Sequence, residues 1–200
     1  MIASCLSQRP TINTYLAASP SRLSCYSFAA LYLWNDFFDF RYYLDNDMLY
    51  IFAHNRLGCF MYLPPVGRAP SPEVIDACFS YMYVHNNGCG VTRIENVDSH
   101  YCEYFPREQF RCIKQSDEYI YRRKELVSLR GNRYRSKRWA CNHFARHNTY
   151  RFRPYSKEMK EECLDLYTRW AGIKSHGCTD TLARGMLEDN KVVHARAMHH

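Results

Sequence analysis

The chain has 200 residues and a mass of 23.8 kDa, enough for one domain or for one domain and the beginning of a second. Hydrophobic residues make up 46% and charged residues 24%, the composition of a globular protein, which excludes wholesale disorder. The longest strongly apolar stretch, Tyr26–Trp34, is too short to span a bilayer as a helix, which needs about 20 residues, and the first residues show no secretory signal.

The first third of the chain predicts one helix followed by a three-stranded antiparallel meander. Pro20 suits the first turn of a helix that continues to about Trp34. The segments that follow are rich in aromatic residues and are separated by polar turns, a pattern typical of hairpins. The predicted strands span Phe37–Leu44, Met48–His54 and Cys59–Leu63.

The middle of the chain predicts a second helix and then short strands. Ser71 and Pro72 suit the N-cap and first residue of this helix, and Asn86-Asn87-Gly88 predicts its end. A turn or short helix is expected around His100–Phe105. Strands are predicted at Val91–Val97, Phe110–Ile113, Glu118–Arg122 and Tyr150–Tyr155.

The last third of the chain predicts mainly helices. They span Glu125–Leu129, Asn132–His147, Lys157–Trp170 and Thr181–His200, with a loop at Gly172–Cys178. Helices on the faces of a mostly antiparallel sheet make the predicted fold class α+β. Because the final helical pattern continues to the last residue without a stop signal, we expect the chain to end before its fold does.

Ten cysteines and nine histidines raise the question of a metal site. No two cysteines are spaced as C-x-x-C, the tight pairing typical of structural zinc sites. The close pairs His100/Cys102 and Cys141/His143 are better explained by chance. We therefore expect no metal, and reduced thiols of the kind found in the cytosol.

The basic residues are concentrated in one segment. Residues 119–160 contain 13 Lys and Arg against 2 Asp and Glu, whereas residues 1–118 contain 9 against 12 and residues 161–200 contain 5 against 6. A basic segment inside an otherwise acidic chain favours an anionic partner, such as nucleic acid, anionic lipid or phosphate.

We call Asn132–His147 the basic helix. At about 100° per residue, one side is predicted to face a core; it consists of Tyr134, Cys141, Phe144 and Ala145. Cations border this side at Arg133, Lys137 and Arg138. The opposite side consists of Arg135, Trp139, His143 and Arg146.

Two interpretations of the basic helix remain open. The simpler one is a charged face that is merely solvated. However, almost no acidic residue lies within one helical turn to balance the cations, so the segment repels itself unless it binds an anion. Anion binding is therefore slightly favoured; its candidate residues are Arg130, Arg133, Arg135, Lys137 and Arg138.

Short motifs spread in order over nearly the whole chain carry a family resemblance. They are Ser27-Phe28, Leu31-Tyr32, Trp34, Pro64-Pro65-Val66-Gly67, Arg93-Ile94-Glu95-Asn96-Val97, Glu118-Tyr119-Ile120-Tyr121, Leu126, Leu129, Gly131, Tyr134, Lys137-Arg138, Asn142 and Phe144. Together they resemble the family named after the C-terminal domain of phosphatidylglycerol lysyltransferase. One departure is Trp139, where that family more often has a polar residue after the Lys-Arg pair.

The resemblance implies two tandem acetyltransferase-like (GNAT) folds, related to the Fem-type aminoacyltransferases. Each would have a mixed, mostly antiparallel sheet flanked by helices. Residues 1–130 would form the first domain, and residues 131–200 would form the basic connecting helix and the beginning of a second, incomplete domain. Relative to the family, the chain is expected to be truncated.

The resemblance also implies an activity: transfer of an aminoacyl group from aminoacyl-tRNA to a lipid headgroup or cell-envelope acceptor. No cofactor is implied beyond a donor substrate, aminoacyl-tRNA or acyl-CoA. The basic helix would contact tRNA or an anionic lipid headgroup, in the cytoplasm or peripherally at the inner face of the membrane. No catalytic residue is assigned. The alternative is a non-catalytic GNAT-like module or fragment that binds RNA or an anionic membrane surface.

Overall fold

The computed structural model describes residues 2–3, 6–56, 58–88, 90–115, 117–176 and 179–198. The chain divides into two compact units, Met1–Ser116 (unit 1) and Asp117–His200 (unit 2). The domain assignment of residues 1–130 and 131–200, which concerns fold type rather than compactness, stays a prediction.

The described residues of unit 1 form a sheet and three α-helices. The helices are α1 (Arg9–Ala18), α2 (Phe28–Phe38) and α3 (Pro72–His85). The strands are β1 (Ile2–Ala3), β2 (Arg41–Asp45), β3 (Met48–Asn55), β4 (Gly58–Met61) and β5 (Val66–Gly67). The sheet order is β1-β2-β3-β4, with β5 paired to β3, and every one of these pairings is antiparallel. The predicted α+β class is confirmed.

The predicted meander is confirmed as the hairpins β2–β3 and β3–β4. Asn46 and Asp47, which join β2 to β3, both have positive φ (49° and 59°), as a two-residue hairpin turn that matches the twist of the strands requires. The turn fixes the register, so that Tyr43 lies opposite Tyr50. In the next hairpin His54 lies opposite Cys59.

The core of unit 1 surrounds β3, whose residues Met48–Ala53 are all buried. Helices α1 and α2 both contact β3, and α3 contacts β4. Since successive side chains of a strand point to opposite faces, burial of every residue means that both faces of β3 are covered. Among the largest fully buried side chains are Phe40, Phe60 and Leu31.

Asn86, directly after α3, joins the helix to the sheet. It is 5% exposed, accepts a hydrogen bond from the Cys59 N–H at 2.6 Å and donates to the Cys59 carbonyl at 2.8 Å. Gly58 makes this approach possible. A Cβ there would lie 2.4 Å from the Asn86 Oδ1, and its φ of +135° also favours glycine.

Three predictions for residues 1–100 are wrong in detail. The helix expected from Pro20 begins at Phe28, because the Ser27 side chain caps it by accepting from the Ala30 N–H. That helix continues to Phe38, into the predicted first strand, and α1 was not predicted. The strand predicted at Val91–Val97 is reduced to a single parallel bridge between Met61 and Ile94.

Unit 2 contains the helices α4 (Arg123–Ser128), α5 (Arg135–His147), α6 (Lys160–His176) and α7 (Thr181–Ala197). Short 3₁₀ helices precede α5 and α6, at Asn132–Tyr134 and Lys157–Met159. The described residues of unit 1 also form 3₁₀ helices, at Leu6–Gln8 and at Ser99–Tyr104, where the aromatic turn was predicted. Helices α6 and α7 pack together, with Tyr167 donating to the Leu187 carbonyl at 2.9 Å.

The four helices predicted in the last third are confirmed, but three predicted strands are wrong. Phe110–Ile113, Glu118–Arg122 and Tyr150–Tyr155 have no strand assignment, since none pairs with a neighbour within the described residues. Helix α6 runs through Gly172, where a loop was predicted, and residues 177–178 of that loop lie outside the described residues. The same holds for residues 199–200 of the last predicted helix.

Candidate anion-binding site

Helix α5 forms most of the basic helix, and its predicted core-facing side is largely exposed. Tyr134, just before α5, is buried, but no residue of α5 itself is, and Phe144 is 52% exposed. Cys141 and Ala145 are exposed too. Amphipathic spacing predicts burial only where a partner element packs on that side, and the Tyr150 ring, whose centroid lies 5.3 Å from that of Phe144, is itself exposed.

Arg133 is paired with Glu125 of α4. Its Nη2 lies 2.5 Å from a carboxylate oxygen to which the Tyr134 hydroxyl also donates, at 3.2 Å. The hydrogen bond from Arg133 is the main cause that lowers the pKa of the Glu125 carboxyl, so the carboxylate is ionised at neutral pH. Glu125 lies more than one turn away in sequence, which is why the local charge pattern does not reveal this balancing charge.

Arg138 supports the corner between α4 and α5. Its Nη1 donates to the Gly131 carbonyl at 2.8 Å and also to the Leu129 carbonyl. Leu129 has a positive φ (46°) and ends α4, so these carbonyls lie where a cation is electrostatically favourable. Two of the five candidate cations, Arg133 and Arg138, therefore already bind groups of unit 2.

The other three candidates have no such partner. Arg130, Arg135 and Lys137 are exposed and, within the described part of the chain, make no ion pair or hydrogen bond. Arg146, on the last turn of α5, is in the same situation. These cations are available to an external anion.

An exposed row of rings runs along the same helix. The Trp139 and His143 ring centroids are 4.9 Å apart and stacked, and the His143 and His147 centroids are 4.1 Å apart. Trp139 is 65% exposed. The predicted outer side included Trp139 and His143; His147 was missed, although the spacing of four residues is visible in the sequence. Exposed rings among cations can stack on nucleobases while the cations hold phosphates.

Unit 1 contains a Cys–His pair that the sequence analysis did not identify. The Cys59 Sγ lies 3.7 Å from the His54 Nε2 across the β3–β4 hairpin. Burial raises the pKa of the Cys59 thiol to about 11 and lowers the pKa of His54. The thiol is therefore protonated at neutral pH, and only a thiolate is an effective nucleophile, so this pair lacks the activation of a catalytic dyad.

Metal binding and membrane insertion depend on features that the described residues lack. No group of three or more His, Cys, Asp and Glu side chains lies close enough to hold a metal ion. None of the described helices is long and apolar enough to cross a membrane.

The comparisons with known proteins decide the family. The model of the family described as phosphatidylglycerol lysyltransferase, C-terminal, matches residues 17–197. The chain belongs to this family. The resemblance inferred from the sequence motifs is thereby confirmed, and the basic helix lies within the matched residues of the phosphatidylglycerol lysyltransferase C-terminal family.

A solved structure has the same fold. It is the crystal structure of a conserved protein of unknown function from Bacteroides thetaiotaomicron VPI-5482, with a TM-score of 0.74 and 21% sequence identity. The match covers 99% of this chain and 66% of that chain, so this chain spans about two thirds of that protein's length. At this identity the likeness shows the fold alone. The comparison with curated proteins gives no match.

Proposed function

We propose that the chain is part of an aminoacyltransferase that moves an aminoacyl group from aminoacyl-tRNA to a lipid headgroup or cell-envelope acceptor. The observation that supports this most directly is the set of free cations Arg130, Arg135 and Lys137 beside exposed stacked rings, in a member of the lysyltransferase family. Arg133 and Arg138 would serve mainly to shape the site. The proposed location of the protein is the cytoplasm or the inner face of the membrane.

The proposed reaction is attack on an activated ester. An acceptor hydroxyl or amine adds to the carbonyl carbon of the aminoacyl ester, the bond to the tRNA ribose oxygen breaks, and the proton of the acceptor ends on that oxygen. Such a reaction depends more on alignment of donor and acceptor and on oxyanion stabilisation than on a strong base. A basic helix that holds the donor by its phosphates contributes alignment.

We also propose that unit 1 is a GNAT-like fold. In its favour, the antiparallel meander β2–β3–β4 is followed by α3 and then by a segment that runs parallel to β4 at Met61 and Ile94. This gives the mixed, mostly antiparallel sheet flanked by helices that the resemblance implies. The start of a second GNAT-like fold within residues 131–200 remains part of the proposal.

The second candidate function is a non-catalytic module that binds RNA or an anionic membrane surface. The row Trp139–His143–His147, with Arg135 and Lys137 nearby, favours it, because stacking and phosphate contacts are sufficient for binding without any chemistry.

A salt titration tests the binding step. We expect the affinity of the chain for tRNA to fall as salt rises, and each lost phosphate contact to lower the log–log slope by about 0.7 to 0.9. The variant Arg130→Gln/Arg135→Gln/Lys137→Gln should then have a log–log slope that is smaller by about 2 to 3. A matched control, Arg22→Gln/Arg56→Gln/Arg107→Gln, removes three exposed cations from unit 1 and should keep the slope. Equal slopes for the two variants would contradict the proposed site.

A transfer assay separates the two candidate functions. The chain is incubated with radiolabelled aminoacyl-tRNA and either phosphatidylglycerol vesicles or peptidoglycan precursors, and the acceptor fraction is counted. Label in the acceptor supports the enzyme. Salt-dependent tRNA binding without transfer supports the binding module, and stronger binding to anionic vesicles than to tRNA supports a membrane-surface role.

A further inference from the structure

Unit 1 contains a cavity that has no role in the proposed function. It has a volume of about 510 Å³ and lies between the β2–β3 hairpin and α3. Four of its nine lining residues are aromatic, and its polar side chains are two carboxylates, the tyrosines and the Cys78 thiol. The residues that matter here are Tyr43, Tyr50, Phe52, Tyr81, Asp45 and Glu73.

The spacing of residues along two strands and along α3 explains which side chains line this cavity. Tyr43 and Asp45 are two residues apart on β2, and Tyr50 and Phe52 are two apart on β3, so each pair points to one face of the sheet. The hairpin register places Tyr43 opposite Tyr50, which puts both pairs on the same face. On α3, Tyr81 is eight residues after Glu73, about two turns along the same side.

The rings form two contacting pairs. The Tyr43 and Tyr50 centroids are 6.0 Å apart, and those of Phe52 and Tyr81 are 4.5 Å apart. Tyr50 is only 9% exposed, yet its hydroxyl donates to a weak acceptor, the Met48 Sδ, at 3.6 Å. The cavity therefore combines π faces with a buried hydroxyl whose hydrogen bonding is poor.

Two carboxylates give the cavity negative charge. Among the described residues, neither Asp45 nor Glu73 forms an ion pair; Asp45 accepts a hydrogen bond from the Asn46 side chain at 2.7 Å. The Ser71 side chain and a backbone N–H lower the pKa of Glu73, which keeps it ionised. The charge of Arg68 acts on Tyr50 and opposes the rise of its pKa, but Arg68 is exposed and does not line the cavity.

We propose that this cavity binds a small organic ammonium group. Aromatic faces attract such cations through their quadrupoles, and the exposed carboxylates of Asp45 and Glu73, which form no ion pair among the described residues, supply the opposite charge at the edge of the cavity. An anion would be repelled by Asp45 and Glu73, and a neutral apolar ligand would gain nothing from them. The site lies within unit 1, and its test does not depend on tRNA binding or aminoacyl transfer.

The test is an NMR titration of the ¹⁵N-labelled 200-residue chain with choline and with 3,3-dimethyl-1-butanol, a neutral molecule of nearly the same shape. We expect saturable shifts with choline at residues 43–52 and 73–81, and binding of the neutral molecule about tenfold weaker. Ethanolamine tests whether the ammonium group is that of a free primary amine. A short-chain phosphatidylcholine, used below its micelle concentration, tests whether it is that of a lipid headgroup.

Three variants sharpen the test. Asp45→Asn/Glu73→Gln should weaken choline binding at least about fivefold, whereas Asp76→Asn, an exposed carboxylate on α3 outside the cavity, should leave it unchanged. Arg68→Gln should strengthen binding, because it removes a cation that acts electrostatically on Tyr50. Equal binding of choline and the neutral molecule, or no saturable shift with any ammonium probe, would overturn the proposal.

Discussion

Units 1 and 2 use aromatic residues in opposite ways. In unit 1 the rings of Phe40 and Phe60 are almost completely buried around β3. In unit 2 the rings of Trp139, Phe144 and Phe152 are exposed, and the buried apolar residues described there are only Tyr134, Tyr167 and Val193. Unit 1 therefore draws stability from its buried rings, whereas unit 2 presents most of its described rings, together with cations, at its surface.

The difference shows that residue type does not decide the role of an aromatic side chain. A ring contributes to stability when neighbours from distant parts of the chain exclude water from it. The same ring at the surface of a basic helix remains available to a base or a headgroup. Substitutions that separate stability from binding test this contrast directly.

The largest effect is expected from truncating a buried ring. Phe60→Ala removes a side chain that is 2% exposed, and should lower the free energy of unfolding by about 3 to 5 kcal/mol. Phe144→Ala, the same change on an exposed ring, should lower it by less than about 1 kcal/mol. Urea unfolding monitored by circular dichroism measures both. Similar losses for the two variants would contradict the contrast between the units.

The next largest effect concerns Asn86. Asn86→Ala would leave the Cys59 N–H and carbonyl without their partner in a buried site, and should lower the free energy of unfolding by about 2 to 4 kcal/mol. Asn132→Ala, at an exposed position in unit 2, is the matched control and should change it by less than about 0.5 kcal/mol. If the two substitutions have the same effect, Asn86 does not hold α3 to the sheet.

These residues also show how far the sequence could predict the fold. The meander, α3 and the basic helix have local signals: polar turns, Ser71 and Pro72 at a helix start, and a run of helical residues. The partner of Asn86 is 27 residues away, so no local pattern indicates it. The strands predicted at 110–113, 118–122 and 150–155 fail for the same reason, because strand pairing depends on a distant partner.

The candidate site was predictable to a similar extent. The charge pattern locates the basic segment and its five candidate cations, and the family motifs include two of them, Lys137 and Arg138. Which of those cations remain free depends on the α4–α5 corner, where Glu125 binds Arg133 and two carbonyls bind Arg138. The aromatic cavity of unit 1 depends on the hairpin register and on α3 together, which no single window of sequence contains.

A smaller effect should follow from breaking the ion pair of that corner. Glu125→Gln removes the charge that balances Arg133. If the basic helix binds tRNA, Arg133 becomes available for an additional phosphate, and the log–log salt slope should increase by about 0.7 to 0.9. Arg133→Gln should leave the slope of the native chain nearly unchanged. A decrease of the slope in Glu125→Gln would mean that the corner must be intact for binding.

The smallest effect expected is a pH dependence of unit 1. Burial is the main cause that lowers the pKa of His54, and the charges of Arg41 and His85 lower it further. At a pH below about 6.5, the ordinary pKa of histidine, the unfolded chain therefore binds more protons than the folded chain. The free energy of unfolding should therefore fall as the pH decreases from 7 towards 5. His54→Gln should reduce that fall, whereas His176→Gln, an exposed histidine of α6, should not. Urea midpoints at pH 7.0 and 5.5 measure the difference; if all three proteins lose the same stability, protonation of His54 does not contribute to it.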